Sequence, residues 1–263
     1  MPDAAIIFAG FAVGLIVGLT GVGGGSLMTP ILIFFFGIKP YMAVGTDLLF
    51  AAFTKAGGTV SMARRGLVPW KVVGQLSAGS IPAALLTLTA LHRLGPASPQ
   101  VQSLMTNTLG VALLLTAVAM FYKAVRGKRL QRNVDGALAD SATKARHWTL
   151  PVLFGAVIGS LVTLTSVGAG AIGVSVLLLL YPLLPLPRIV AADIAYAVPM
   201  TLLAGLGHAS LGSVDWALLI QLLAGSLPGI WLGSRLIQRA PERLVRSALS
   251  VLLAYAGTKL FTL

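Results

Sequence analysis

The chain has 263 residues, of which 57% are hydrophobic and 10% charged, with a mean hydropathy of +0.92; a soluble domain carries roughly 25% charged residues, so water is excluded as the main solvent. A net charge of +12 would suit a nucleic-acid binder, but the basic residues gather in loops between apolar runs, as the positive-inside rule requires of a membrane protein. With no cysteine, disulfides, thiolate metal sites and a cysteine nucleophile are excluded.

A bilayer core takes about 20 mostly apolar residues per helical crossing. In chain order the apolar runs are Ala4 to Leu19, Leu27 to Phe36, Met42 to Met62, Val72 to Leu91 and Val101 to Tyr122. A second set follows at Leu150 to Leu164, Ile172 to Leu184, Ile189 to Ser210, Trp216 to Ile237 and Leu244 to Leu263. No basic residue precedes the first run and no small-residue cleavage pattern follows it, so no removable signal peptide is expected. These runs predict an all-α integral membrane protein with a first repeat over 1–122, a basic linker over 123–147 and a second repeat over 148–263.

Five runs and five suggest duplication, and the residues support it. A shift of 146 places Asp47 on Asp193, Gly66 on Gly212, Trp70 on Trp216 and Pro82 on Pro228, and between Val44 and Pro82 it makes 13 of 39 positions identical. The tightest stretch sets Gln75-Leu-Ser-Ala-Gly-Ser-Ile-Pro82 against Gln221-Leu-Leu-Ala-Gly-Ser-Leu-Pro228. A shift of 145 sets Thr20-Gly-Val-Gly-Gly-Gly25 against Thr165-Ser-Val-Gly-Ala-Gly170. Apolar bias does not align Asp, Gln, Trp and Pro, so an internal repeat is expected.

Charge orients the halves. The linker carries Lys123, Arg126, Lys128, Arg129, Arg132, Lys144 and Arg146, so it is expected in the cytoplasm. Counting helices outward puts Arg64, Arg65 and Lys71, then Arg188, then Arg235, Arg239, Arg243 and Arg246 on the same side, with both termini outside. The loop Arg64-Arg-Gly-Leu-Val-Pro-Trp70 is basic, whereas its repeat partner Ser210-Leu-Gly-Ser-Val-Asp-Trp216 holds one acid and no base. Equivalent loops therefore fall on opposite faces, an inverted repeat of the kind that places transporter sites near the midplane.

Chemistry is expected at four places. The turn Thr20-Gly-Val-Gly-Gly-Gly-Ser26 joins two apolar runs, the second of them short, as in broken or re-entrant helices whose backbone lines a cavity. Its N–H groups and the helix start after it could hold a small anion; close helix packing is the alternative. Lys55 lies mid-segment, where a charge is expensive, and either contacts that anion or forms an ion pair that locks helices. Its repeat partner is Thr201, so any contact would be one-sided. Asp47 and Asp193, each two turns into a helix, either carry a coupling proton or cap the neighbouring broken helix.

The remaining polar residues are read more plainly. Gln75 and Gln221 either bridge helices or touch substrate. His208 reads as a packing residue, Trp70 and Trp216 as interface anchors, and Gly225, Gly229 and Gly233 as a packing stripe. An intramembrane serine protease using His208 is disfavoured because Ser210, two positions away, lies on a different helical face. No Gly-Lys-Ser/Thr ending completes a P-loop, so no nucleotide is expected.

Gly18-Leu-Thr-Gly-Val-Gly-Gly-Gly-Ser26 with Pro30 downstream, Ala43-Val-Gly-Thr-Asp47, Gly66-Leu-Val-Pro-Trp70 and Gly79-Ser-Ile-Pro82 together resemble the TauE/SafE family of sulfite and organosulfonate exporters, along the whole chain. The resemblance implies export of sulfite, sulfoacetate or a related small anion across a bacterial cytoplasmic membrane, driven by an ion gradient, with no cofactor and no metal. The expected partners are the anion, the bilayer and a coupling ion, H+ or alternatively Na+, with no nucleic acid. The expected substrate contacts are Thr20, Gly21, Gly23, Gly24, Gly25, Ser26, Lys55, Gln75, Thr165, Ser166, Gly168, Gly170 and Gln221. Asp47 and Asp193 are expected to couple or cap. An anion channel of the same architecture is the alternative.

Overall fold

The computed structural model describes residues 2–20, 25–126, 149–168, 170–236 and 242–260, and every regular element among them is an α-helix. The first half holds α1 (Pro2–Thr20), α2 (Gly25–Phe36), α3 (Pro40–Arg64), α4 (Trp70–Leu94) and α5 (Pro99–Arg126). The second holds α6 (Thr149–Thr165), α7 (Ala171–Leu180), α8 (Leu186–Ser210), α9 (Trp216–Leu236) and α10 (Glu242–Leu260). Residues 123–126 of the expected linker continue α5, and the rest of it lies outside the described residues.

The molecule turns apolar side chains outward as well as inward. Phe8, Phe35, Leu86, Val118, Leu179 and Val251 are all exposed, on six different helices. A water-soluble protein rarely leaves such a surface open, and a bilayer is the solvent that accepts it. Among the described residues, α4, α8 and most of α5 are long and apolar enough to cross. By contrast α7 has 10 residues and α2 has 12, about 15 and 18 Å of helix at 1.5 Å per residue. That is near half of a hydrocarbon core of about 30 Å.

The repeat seen in the sequence returns in the backbone. Proline opens α3 at Pro40 and stands second in α8 at Pro187, where its missing N–H costs nothing. The residues ahead of these helices, Lys39 and Pro185, have φ/ψ of −57°/140° and −56°/140°. The residues that close them, Arg65 and Leu211, have −86°/3° and −85°/3°. Gly66 and Gly212 follow in the left-handed region, at φ 66° and 69°, where glycine stops a helix without a Cβ clash. The last three pairs are separated by the shift of 146, and the two prolines by 147.

Packing also repeats, but across the halves rather than within them. The broadest contacts join α1 to α9, α4 to α6, α5 to α10 and α3 to α8. In the first two the backbones touch through small residues. A Cβ on Gly79 of α4 would lie 1.8 Å from the Val152 carbonyl oxygen of α6, and one on Gly225 of α9 would lie 2.0 Å from that of Ile7 in α1. Gly155 and Gly159 press on Leu76 and Ser80, while Gly10 and Gly14 press on Leu222 and Ser226. Each member of one set is the repeat counterpart of the other. Without a hydrophobic drive between helices in lipid, such close approach is what holds them together. The stripe at Gly225 and Gly229 is therefore a packing surface; the side-chain surroundings of Gly233 lie outside the described residues.

The centre is the pair α3 and α8. Gly205 lets α8 approach Leu49, and Gly45 lets α3 approach the Ser213 carbonyl. Buried apolar residues fill both sides of the pair, Leu48, Ile189 and Tyr196 in one cluster and Leu49, Phe50 and Leu219 in the other.

Candidate functional site

Three buried ionisable side chains meet where α3 and α8 pack. Asp47 and Asp193 are 0% and 2% exposed, and Lys55 is 6% exposed. Asp47 sits on the third turn of α3, Lys55 lies two turns further along the same helix, and Asp193 occupies the position in α8 equivalent to Asp47. Lys55 lies close enough to Asp193 and to Asp47 to feel the charge of both. An ion at such depth is stable only with a charge partner, and here one cation faces two acids.

Each acid also reaches the short helix of its own half. Asp47 Oδ2 accepts a hydrogen bond from the Thr29 hydroxyl in α2. The Asp193 carboxylate fills the space beside Gly173, third residue of α7: a Cβ built there would lie 2.0 Å from Oδ1. Gly170 precedes α7 without any side-chain cap, so a neighbouring carboxylate at its positive end is the favourable arrangement. Each acid thus packs against the short helix of its own half.

The turn between α6 and α7 comes to the same place. Thr165 is tied into it: its hydroxyl donates to the Leu161 carbonyl at 2.7 Å and accepts from the Val167 N–H at 3.1 Å. Ser166 has φ 58°, uncommon for a residue with a Cβ and a mark of functional turns; the first half has Gly21 at this position. The Ser166 side chain is buried and lies beside Asp47, and its Oγ finds no hydrogen-bonding geometry among the described residues. Gly168 and Gly170 take φ 125° and 138°, and their carbonyls receive the N–H groups of Gly173 and Val174. In the first half, Thr20 ends α1 and Gly25 and Ser26 begin α2. Gly21, Gly23 and Gly24, and the side chains from Gly18 to Ser26, lie outside the described residues.

Other expected residues fall elsewhere. Gln75 accepts a 2.6 Å hydrogen bond from the Tyr181 hydroxyl, which joins α4 to the end of α7 and fits the helix-bridging reading. Gln221 is half-buried in α9. Thr201, counterpart of Lys55, turns its hydroxyl back to the Ala197 carbonyl at 2.8 Å. His208 is fully buried, and its Nε2 is 2.9 Å from the Thr163 carbonyl, which only an N–H can satisfy. Ser210 instead donates to the Gly207 carbonyl, so these two form no catalytic pair. Trp70 and Trp216 are exposed at the starts of α4 and α9.

Thr29, Tyr196 and Thr46 were not signalled by the repeat, because the shift of 145 sets Thr29 on Val174 and the shift of 146 sets Tyr196 on Phe50 and Thr46 on Ala192. Tyr196 lies close enough to Asp193 to feel its charge. Thr46 accepts from the Asp215 N–H at 3.0 Å and so fixes the start of α9 against α3. The available signal was composition: Thr29 is a polar side chain deep within a short apolar helix.

A helical bundle with apolar outer faces and charges gathered at its centre is an integral membrane protein built to handle something polar inside the bilayer. The family model described as "Sulfite exporter TauE/SafE" matches residues 6–260. Similar relatives in Bacillus subtilis (strain 168) are "Probable membrane transporter protein YjnA", 38% identical over 98% of this chain and 99% of its own length, and "Probable membrane transporter protein YdhB", 26% identical over 96% and 97%. No solved structure matches. The chain belongs to the TauE/SafE family of membrane transporters.

Proposed function

We propose that the protein is a secondary transporter that exports a small anion, sulfite or an organosulfonate such as sulfoacetate, across the cytoplasmic membrane by alternating access. The observation that carries this reading is Lys55, a buried cation at the junction of the two halves, whose partner Asp193 lies against the first turn of α7. A helix of about 15 Å running in from one face ends near mid-depth, so in this reading the turn that opens α7 meets the α3–α8 pair near the midplane. Backbone N–H groups of that turn, the Ser166 hydroxyl and the Lys55 ammonium supply donors and positive charge for an oxyanion. In this reading the halves have opposite orientation, the linker is cytoplasmic and the termini are outside. The driving ion is the proton.

The test is flux into proteoliposomes of wild type and Lys55→Ala, with sulfite and small sulfonates, with and without a pH gradient. Saturable flux that responds to the gradient and vanishes in Lys55→Ala supports the reading. Absence of flux for every sulfur oxyanion under every gradient rejects the substrate class, and large uncoupled currents reject the transporter in favour of a channel.

A further inference from the structure

We infer that His208 is a positioning residue for the anion site: its ring N–H holds the Thr163 carbonyl at the end of α6 and so places the turn that carries Ser166. This rests on the transport reading above and deepens it, because the site as described leaves His208 without a task.

Histidine inside a membrane helix is rare and turned toward the bundle interior, and His208 is fully buried in α8. Packing alone does not call for it. The counterpart at the shift of 146 is Met62, an unbranched side chain that fills gaps without a polar proton. Of the two ring nitrogens, Nε2 lies 2.9 Å from the Thr163 carbonyl, while Nδ1 is buried with no hydrogen-bond partner among the described residues. A bare buried acceptor is costly, so the imidazole is retained for the bond at Nε2.

That bond completes a helix end. The last carbonyls of a helix lack a donor one turn on, and α6 ends at Thr165. The N–H four positions beyond Thr163, on Val167, goes to the Thr165 hydroxyl instead, at 3.1 Å. His208 supplies the missing donor from another helix. Three residues after Thr163 the chain swings through Ser166 at φ 58°, with its N–H bonded to the Val162 carbonyl at 2.7 Å. Fixing the Thr163 carbonyl therefore fixes the point from which the Ser166 side chain departs.

His208 stands at the depth of Asp47. Helices α3 and α8 run antiparallel, with Gly45 against the His208 side chain, Leu49 against Gly205 and Gly58 against Ile194. Asp47 follows Gly45 by two residues. The end of α8 is itself closed on His208, whose carbonyl accepts the Ser213 N–H at 2.9 Å. Hydroxyl and holder also occur together: Ser166 and His208 belong to the second half, and their counterparts in the first, Gly21 and Met62, have neither a hydroxyl nor a side-chain N–H. Lys55 is one-sided in the same sense, opposite Thr201. A site built on Lys55 and the α6–α7 turn has one turn to hold, and His208 holds it.

Nε2 carries a proton in the imidazolium and in one neutral tautomer alike, so this role needs a donor and no change of charge. A glutamine amide also donates, and methionine does not. In reconstituted protein without substrate, hydrogen exchange at the N–H groups of Ser166, Gly173 and Val174, whose bonds hold the turn, is expected to quicken about tenfold in His208→Met, the equivalent of one hydrogen bond. His208→Gln is expected to match wild type, and α1, α5 and α10 to be unchanged in both. With sulfite as probe, His208→Met is expected to raise KM by about the same factor with the maximal rate little changed, and His208→Gln to restore KM. If His208→Met does not fold, His208→Asn, whose amide stops short of the Nε2 position, takes its place. Equal exchange in all variants, or faster exchange spread over the whole bundle, makes His208 a packing residue and overturns the proposal. A wild-type KM in the donor-free variant, or failure of His208→Gln to rescue, overturns it too. Loss of the response to a pH gradient in His208→Gln at normal KM would make the imidazole a proton carrier instead. If no sulfur oxyanion moves in the wild type, the substrate reading fails while hydrogen exchange still decides whether His208 holds the turn.

Discussion

At the scale of single residues, Lys55 has two roles that one substitution confuses. Removing it leaves buried carboxylate charge without its partner, a change that costs about 3 to 5 kcal/mol in buried pairs, so loss of flux in Lys55→Ala could reflect a damaged fold. The Lys55→Ala/Asp193→Asn variant removes cation and counter-ion together. Its thermal stability is expected to return toward wild type, while sulfite flux stays absent if the ammonium contacts the anion. Restored flux would leave Lys55 only the task of joining helices. The participants in this cluster were legible because charge is rare in an apolar segment, and Asp47, Lys55 and Asp193 stand out by type alone. Their mutual arrangement was not. Thr29 lies 18 positions from Asp47 and Ser166 lies in the other half, so their meeting depends on how α2 and the α6–α7 turn dock against α3.

At the scale of helices, the shift of 146 identified equivalent residues but not neighbours. Gly79 and Gly225 are matched in sequence, yet nothing there places α4 beside α6 and α9 beside α1. The structure does, with Val152 against Gly79 and Ile7 against Gly225 as counterparts in turn. Because the contacts are equivalent and made to backbone atoms that cannot swing aside, Gly79→Ala and Gly225→Ala should act alike. Each is expected to lower stability by about 1 to 3 kcal/mol, the usual cost of overpacking, measured as the thermal midpoint of detergent-solubilised protein. As a control, Gly74→Ala in α4, where an added Cβ meets nothing within 4 Å, should be neutral or slightly stabilising through helix propensity. A large loss in Gly74→Ala, or none in the other two, would mean that these crossings are not the close contacts described. The glycine stripe was readable as packing from its spacing, but its partner helix required the fold.

At the scale of the whole molecule, reciprocal packing has a consequence for orientation. Helices α3 and α8 share the same entry and exit conformations, and in the proposed reading an odd number of crossings between their starting points would send them through the bilayer in opposite directions. A hairpin that enters and leaves on one face counts as an even number, just as two full crossings do, so the inversion holds for either reading of the glycine turns. Basic residues support the same expectation independently, because Arg64 and Arg65 precede Gly66 while Ser210 and Leu211 precede its counterpart Gly212, and basic loops are expected on the cytoplasmic side. The protein has no cysteine, so single replacements at the exposed positions Arg65 and Ser210 report their side without any background. In intact cells, a membrane-impermeant maleimide is expected to label Ser210→Cys and to spare Arg65→Cys until the membrane is opened. Labelling of both from one face would put equivalent loops on the same side and remove the inverted arrangement on which a midplane site depends. Opposite labelling would leave the α3–α8 pair as the meeting point of two halves that face opposite sides of the membrane, and one set of helices could then rock against the other around Asp47, Lys55 and Asp193.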